Sequence, residues 1–169
     1  SEKSRAIFRQ LIEQFKMLDD QAQKYDQEIE RLAKGNSVYQ ALQKIEGVGP
    51  ITATAIVATL GDPQVFKNGR EASAWLGLVP KHYSSGHKIR LGSISKRGDI
   101  YIRKLLIHGA RACVNQCERK TDSRSLWLAD KKKRRGFNKA CVALANKNAR
   151  IIWAMLSTGE CYRTFDNGL

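Results

Sequence analysis

Acidic residues are scarce in most of this 169-residue sequence. Residues 1–46 carry eight of the 30 Lys and Arg residues and eight of the 16 Asp and Glu residues, so their charges balance. The remainder of the chain therefore carries the whole net charge of +14, and residues 81–98 contain no acid at all. A one-sided positive field favours a polyanionic partner. We expect this partner to be nucleic acid rather than an anionic membrane surface.

The scarcity of carboxylates also limits the chemistry. A two-metal phosphoryl-transfer site needs a carboxylate cluster, but the acids of residues 47–169 are mostly isolated. The sequence contains no Gly-x-Ser-x-Gly motif and no evident Ser-His-Asp hydrolase pattern. We therefore predict no metal ligands and no cofactor within this chain.

Other missing features concern the protein's environment. There is no run of eighteen apolar residues, and the polar, charged start is unlike a signal peptide, so we predict a cytoplasmic protein without a membrane partner. Cys113, Cys117, Cys141 and Cys161 form no Cys-x-x-Cys pair, and we expect reduced core thiols. A zinc site formed by His108, Cys113 and Cys117 is the alternative. Because the first residue is serine rather than methionine, we expect a fragment of a longer protein.

The first segment has the clearest periodicity. Its apolar positions are spaced alternately by three and four residues, namely Phe8, Leu11, Phe15, Leu18, Ala22, Tyr25, Ile29 and Leu32. This heptad seam predicts a coiled-coil helix over residues 1–36 that makes a homo-oligomer. Folding back onto its own domain and pairing with a helix outside this chain remain alternatives.

The stretch "IEGVGPITATAIVATLGD", residues 45–62, predicts a helix-hairpin-helix. Gly47 and Gly49 permit a tight turn, Pro50 suits the first turn of the second helix, and the N–H groups there can hold a phosphate. Ser37 opens a capping-box pattern for the first, short helix. A helical hairpin that serves only packing is the alternative.

The remaining pattern predicts a mainly α fold. A helix is expected over residues 68–76, with Trp75 and Leu76 facing the core. A second is expected from Asp99 onwards, with Arg103 outside its apolar face, and a third over residues 138–156. Residues 81–98 predict a basic loop or a short β-hairpin. The expected domains are the coiled-coil helix 1–36, a compact helical domain 37–160 and an irregular tail 161–169.

The stretch "YSSGHK", residues 83–88, holds the candidate nucleophiles Ser84 and Ser85. A serine attacks phosphorus only if its proton is removed and the developing charge is neutralised. Histidines and basic residues flank the pair, and Gly86 permits close approach of a bulky backbone. The same composition suits a loop that only binds phosphate, so both interpretations remain open.

About residues 40–158, with the block "YSSGHKIRLGSISKRGD" and the later stretch "RRGFNKACVALANKNARIIWAML", resemble the C-terminal domain of DEDD-type insertion-sequence transposases, which implies a prokaryotic protein. These are relatives of the Piv/MooV invertases, and the similarity is greatest to the eleven-eleven branch of the IS one-ten group. The resemblance implies a preceding RuvC-like domain with an acidic Mg²⁺ site, then a coiled coil, and a structured guide RNA that pairs with insertion-sequence ends and target DNA. It also implies that Ser85 becomes joined to DNA, with Ser84 as the second candidate. His87 departs from the glycine common in the family and receives no role.

These observations lead to a transposase or recombinase that rejoins DNA strands through a phosphoserine and is inactive without its RuvC-like domain. The proposed phosphate-binding or charge-offsetting side chains are Lys88, Arg90, Lys96 and Arg97. Less specific nucleic-acid binding is assigned to Lys131, Lys132, Lys133, Arg134 and Arg135, for which a solvated loop is the alternative. The alternative function is a non-catalytic helix-hairpin-helix nucleic-acid-binding module. A glycosylase, which would need a catalytic Lys or Asp after the hairpin, has only the unsupported Asp62 and Lys67.

Overall fold

The computed structural model describes residues 2–85 and 88–162. Within these residues the fold is mainly helical, as predicted, and a two-stranded antiparallel sheet is the only sheet. In chain order the elements are α1 (Glu2–Gly35), α2 (Ser37–Gln43), α3 (Pro50–Leu60), α4 (Gly69–Trp75), β1 (Pro80–Ser85), β2 (Lys88–Ile94), α5 (Ile100–Gln116), α6 (Ser123–Arg135) and α7 (Phe137–Thr158). No helix in this described part is long and apolar enough to cross a membrane.

The N-terminal helix α1 is a single element whose apolar seam is exposed. Phe8, Phe15 and Tyr25 are 65%, 70% and 71% exposed. Burial begins only near its end, where Ala33 is 1% exposed and the helix meets α2 and α3. The predicted helix is confirmed, but the alternative in which it folds back onto its own domain is wrong for the described residues.

The junction after α1 differs from the predicted capping box. The N-cap of α2 is Asn36, whose Oδ1 accepts a hydrogen bond from the Val38 N–H at 2.8 Å. Gln40, which a capping box would direct back to the cap, instead donates to the Lys34 carbonyl at 2.5 Å. Asn is among the strongest N-cap residues, so the helix begins one residue earlier than Ser37 would allow as its cap.

The core lies between α5 and α7, with the shorter helices around them. On α5 the buried side chains recur at intervals of four residues, as Ile102, Leu106, Ala110 and Val114, each 0% exposed. On α7 Leu144, Ala145, Ala149 and Ile152 are at most 1% exposed. The predicted 3.6-residue periodicity is therefore confirmed in both helices.

The helix α6 was not predicted. Its N-cap is Asp122, which accepts from the Ser125 N–H at 2.9 Å, and its buried Leu128 packs in the core. The basic run occupies its last turns, and Gly136, with φ of 84°, ends it. The alternative interpretation of residues 131–135 as a solvated loop is wrong, because these residues form the last turns of α6. Lys and Arg are good helix formers.

Two side chains lie elsewhere than predicted. Trp75 is 39% exposed rather than in the core, and its ring packs beside that of Phe66 at 5.5 Å between centroids. Arg103, expected on an outer face, is only 7% exposed. Its position is explained by the site described below.

The cysteines are free thiols. Cys117 and Cys141 are buried, and burial raises the pKa of both the Cys113 and Cys141 thiols, as befits side chains packed in a core. Among the described residues no group of three or more His, Cys, Asp or Glu could hold a metal ion, so the zinc alternative at His108, Cys113 and Cys117 has no structural support.

Candidate functional site

The candidate nucleophiles lie on the β-hairpin. Strands β1 and β2 are antiparallel, and their register places Ser84 opposite Ile89 and Ser85 opposite Lys88. Ser85 is therefore the last residue of β1, and Lys88 is the first residue of β2. Gly86 and His87 between them lie outside the described residues. The predicted basic hairpin is confirmed, and it brings Ser85 and Lys88 together at its end.

The base of the hairpin is fixed by close backbone contacts. The Ser95 N–H donates to the Val79 carbonyl at 2.8 Å, and the Lys96 N–H donates to the Gly77 carbonyl at 3.2 Å. A Cβ on Gly98 would lie 1.8 Å from the Trp75 carbonyl oxygen. The close contact leaves no room for a side chain at Gly98. Together with the two hydrogen bonds, it holds residues 95–98 against the end of α4.

Arg103 is buried beneath the contact between residues 95–98 and the end of α4, and it binds carbonyls on both sides of that contact. Its Nη1 donates to the carbonyls of Leu76 at 3.1 Å and Arg97 at 2.9 Å. A buried guanidinium is costly unless it is hydrogen-bonded, and here these carbonyls satisfy it. Sequence periodicity missed this role because Arg103 follows the core residue Ile102 in the first turn of α5, where charged side chains usually face solvent.

Among the described side chains of the predicted phosphate-binding residues, the structure places only Arg97 in a hollow near the hairpin. Arg90, Lys96 and Arg97 are exposed and form no ion pair with a described residue. Arg97 lines a hollow of about 580 Å³ together with Lys81, His82, Tyr83 and Ser95, whose buried Oγ lacks a partner among the described residues. Lys96 has φ of 57°, a left-handed conformation that is rare for a residue with a side chain.

The two glycines of the helix-hairpin-helix have different surroundings. Gly47, with φ of 84°, packs on α5 so closely that a Cβ on it would lie 2.9 Å from the carbonyl carbon of Gly109. Gly49 has no atom within 4 Å of such a Cβ and forms the N-cap of α3 without a side-chain hydrogen bond, directly before Pro50. Gly47 thus has a packing role, while Gly49 leaves the start of α3 open to an anion.

A polar network centred on the buried Asn148 holds this turn from behind. Asn148 is 0% exposed, and its Nδ2 donates to the Glu46 carbonyl at 3.0 Å, while its Oδ1 accepts from Arg124. The Glu46 carboxylate pairs with Lys120 at 3.0 Å, and their hydrogen bond raises the pKa of Lys120. Sequence analysis did not find this network, because its members are widely separated along the chain.

The five basic residues at the end of α6 are not equivalent. Lys132 pairs with Glu118 at 2.9 Å, and Arg134 pairs with Asp130 one turn earlier. Lys131 lies over the Trp127 ring with Nζ 6.0 Å from its centroid. Lys133 and Arg135 are exposed and make no ion pair with a described residue. They are therefore the two most available for a nucleic-acid phosphate.

The structure thus defines a basic helical domain that presents a serine-bearing hairpin. Residues 39–125 match the family model described as Transposase IS116/IS110/IS902 family, and the chain belongs to this family. It is 49% identical over 157 residues to a probable family 20 transposase of Pseudomonas aeruginosa, covering 93% of this chain and 46% of the relative. It is 52% identical over 139 residues to the transposase for insertion sequence element IS1111A of Coxiella burnetii, covering 82% of this chain and 38% of that protein.

A more distant relative gives the same result. The transposase for insertion sequence element IS1328 of Yersinia enterocolitica is 33% identical over 156 residues, covering 92% of this chain and 47% of the relative. The chain therefore spans less than half the length of these curated relatives.

Proposed function

We propose that this chain supplies the serine nucleophile and part of the DNA-binding surface of a transposase. The observation that carries the proposal is the hairpin register, which sets Ser85 opposite Lys88 in a segment without acidic residues. Ser84 is the second candidate, one residue further from the hairpin end. The transposase names of the relatives support the same reaction class.

The proposed step is a transesterification. The Ser85 hydroxyl oxygen forms a bond to phosphorus, the bond from phosphorus to one sugar oxygen breaks, and that oxygen leaves with a proton. A second attack by a DNA hydroxyl on the phosphoserine restores the serine and joins the new strand. Each attack adds negative charge at phosphorus, which Lys88, Arg90, Lys96 and Arg97 would offset.

The serine needs a base, and the described residues offer no carboxylate cluster near it. Residues 81–98 contain no acid, and no group of His, Cys, Asp or Glu in the described part could hold a metal ion. The resemblance implies a Mg²⁺ site in a RuvC-like domain. The chain by itself is accordingly expected to be inactive and to act when a domain with carboxylates meets the hairpin.

The proposed partners are DNA at insertion-sequence ends and targets, a structured guide RNA and a second copy of the chain. The positive charge outside residues 1–46 supports a nucleic-acid partner. The exposed seam of α1 supports self-association, since large aromatic side chains such as Phe8 and Phe15 are otherwise left in water.

The second candidate function is a non-catalytic nucleic-acid-binding module. The open start of α3 behind Gly49 favours it, because backbone N–H groups there can bind a phosphate without reading sequence. Under this alternative the serines would only bind phosphate, and no covalent bond to DNA would form.

Adduct trapping separates the two functions. The full-length transposase that contains this chain is incubated with its RNA and a suicide DNA substrate, and the protein is digested and mapped by mass spectrometry. We expect a nucleotide bound to Ser85. Binding without an adduct, in a preparation that completes recombination on ordinary substrate, would favour a nucleophile outside this chain and leave this domain as the binding module.

A further inference from the structure

A second basic surface lies apart from the hairpin end and the helix-hairpin-helix turn. We call it the α4–α7 groove, because its walls are the start of α4 and the outer face of α7. The helix α6 borders it at one side. Its volume is about 730 Å³, and its polar and aromatic lining includes Arg70, Trp127, Asn146, Lys147, Arg150 and Trp153. Among the described residues, no Asp or Glu lines it. None of the functional assignments made above uses this groove.

The cations of the groove are crowded. Lys147 Nζ lies 4.9 Å from the centroid of the Trp127 ring. Burial lowers the pKa of Lys147, and the nearby charges of Arg124 and Arg150 lower it further. Arg70 and Arg150 are exposed and form no ion pair with a described residue. Like charges held close together are unfavourable, and a bound anion relieves their repulsion.

The shape of the groove limits what can enter it. Gly69 at the start of α4 touches α7 so closely that a Cβ on it would lie 3.1 Å from the Arg150 carbonyl oxygen. The Trp153 indole N–H donates to the Pro63 carbonyl at 2.9 Å, which fixes that wall. A rigid hollow of this size suits a small molecule or one or two nucleotides. An intact duplex is too wide to enter it.

The lining combines the two contacts that an unpaired nucleotide makes. Arg and Lys side chains bind the phosphodiester, and tryptophan rings provide flat surfaces on which unstacked bases pack without sequence preference. Because the Lys147 ammonium lies over Trp127, a phosphate that draws it away would uncover the ring. Charge and aromatic surface therefore point to the same class of ligand.

A second hollow extends this groove toward the hairpin. It lies against β2 and the start of α7, and its basic residues are Arg135 and Lys139. Ala143 and Asn146 line both hollows, so the two meet on α7. A strand held in the groove can thus continue toward the hairpin that carries Ser84 and Ser85.

We propose that the α4–α7 groove binds a single-stranded segment of nucleic acid, with Arg70, Lys147 and Arg150 on its phosphates and a base against the tryptophan wall. The proposal rests on the nucleic-acid partner of the proposed function and adds a separate site for an unpaired strand. Such a segment exists in DNA opened for strand exchange and in the unpaired regions of a folded RNA.

The test compares two variants of equal charge. The groove variant, Arg70→Glu with Arg150→Glu, replaces two positive charges of the groove by negative ones. The control variant, Lys16→Glu with Lys24→Glu, makes the same change in charge on the outer face of α1. Fluorescence anisotropy at about 100 mM salt measures binding of oligothymidylate and oligouridylate of about fifteen nucleotides, and of a duplex of that length. We expect the groove variant to bind at least one of the single strands about tenfold more weakly than the control variant, with a smaller difference on the duplex.

Tryptophan fluorescence provides a second readout. The chain has three tryptophans, and two of them line the groove. Oligothymidylate or oligouridylate should quench the emission of the unmutated chain, and Trp127→Phe should remove much of that quenching. This variant also keeps the test valid if the charge reversal prevents folding.

The results that overturn the proposal differ from those that overturn the proposed function. If the groove and control variants bind both single strands equally and Trp127→Phe leaves the quenching unchanged, the groove is not the site. If the unmutated chain binds duplex but neither single strand, the groove proposal fails and the nucleic-acid-binding function stands. If it binds no nucleic acid at all, both fail.

Discussion

The helix α1 and the domain that follows it differ in charge balance and in the exposure of their apolar side chains. Residues 2–35 hold seven basic and seven acidic residues and expose a seam of large apolar side chains. Residues 36–169 carry all of the +14 net charge, and their helices bury an apolar core. The first region therefore presents an apolar surface suited to another apolar surface. The second carries an excess of positive charge suited to a negatively charged partner.

This difference indicates that assembly and nucleic-acid binding depend on different forces. Apolar contact between helices is almost insensitive to salt, while binding of phosphates releases counterions and weakens steeply as salt rises. A change that affects one region should accordingly leave the other nearly unaltered.

The largest effect is expected from the proposed nucleophile. Ser85→Ala in the full-length protein should lower strand transfer by about a thousandfold or more, since a missing nucleophile cannot form the covalent intermediate. Self-association and DNA binding should remain within about twofold of the unmutated protein. Recombination assays and binding titrations of the same preparation measure both.

Ser84→Ala is the matched control for that change. It alters the neighbouring residue of β1 and should reduce strand transfer far less. Full activity of Ser85→Ala would remove this serine from the mechanism, and loss of activity only in Ser84→Ala would move the role by one residue.

Salt should separate the two regions next. If several phosphates are contacted, DNA affinity should fall by about tenfold to a thousandfold between about 50 and 200 mM salt. Self-association through α1 should change little over the same range. DNA affinity that does not depend on salt would contradict the assignment of the positive domain to a polyanion.

The α1 seam gives the third prediction. Leu18→Glu should weaken self-association by about tenfold or more, because it would bury an unpaired carboxylate. Leu18 is 60% exposed in the single chain, so the stability of the domain itself should be unaffected. Gln10→Glu on the outer face is the control. Light scattering that finds the unmutated chain monomeric at high concentration would mean that the seam pairs with another protein.

The sequence predicted these elements with unequal success, for physical reasons. Amphipathic periodicity identified α1, α5 and α7, since an apolar stripe along one face of a helix recurs about every 3.6 residues whether or not the stripe is buried. It missed α6 because the basic run "DKKKRRGFNK" conceals the few apolar side chains of that helix, among them Leu128. Charge density alone cannot distinguish a solvated loop from the polar face of a helix.

The candidate site was predictable only in part. Its serines and basic residues follow from local composition, and the register of β1 and β2 agrees with a short hairpin. The contacts that position it do not, because Arg103 donates to the Leu76 carbonyl and Asn148 donates to the Glu46 carbonyl, and both acceptors are distant in sequence. Gly47 likewise has a partner, Gly109, that no local pattern indicates.

The smallest expected effect tests whether the hairpin base belongs to the stable domain. Arg103→Met would leave the carbonyls of Leu76 and Arg97 without their buried donor, which should lower the free energy of unfolding by about 2 kcal/mol. Lys104→Met, at the adjacent exposed position, should change it by less than about 0.5 kcal/mol. Urea unfolding followed by circular dichroism measures both variants, and self-association through α1 should be the same in each. If Arg103→Met unfolds like Lys104→Met, the guanidinium is not what holds residues 95–98 against α4, and the close contacts of Gly77 and Gly98 suffice.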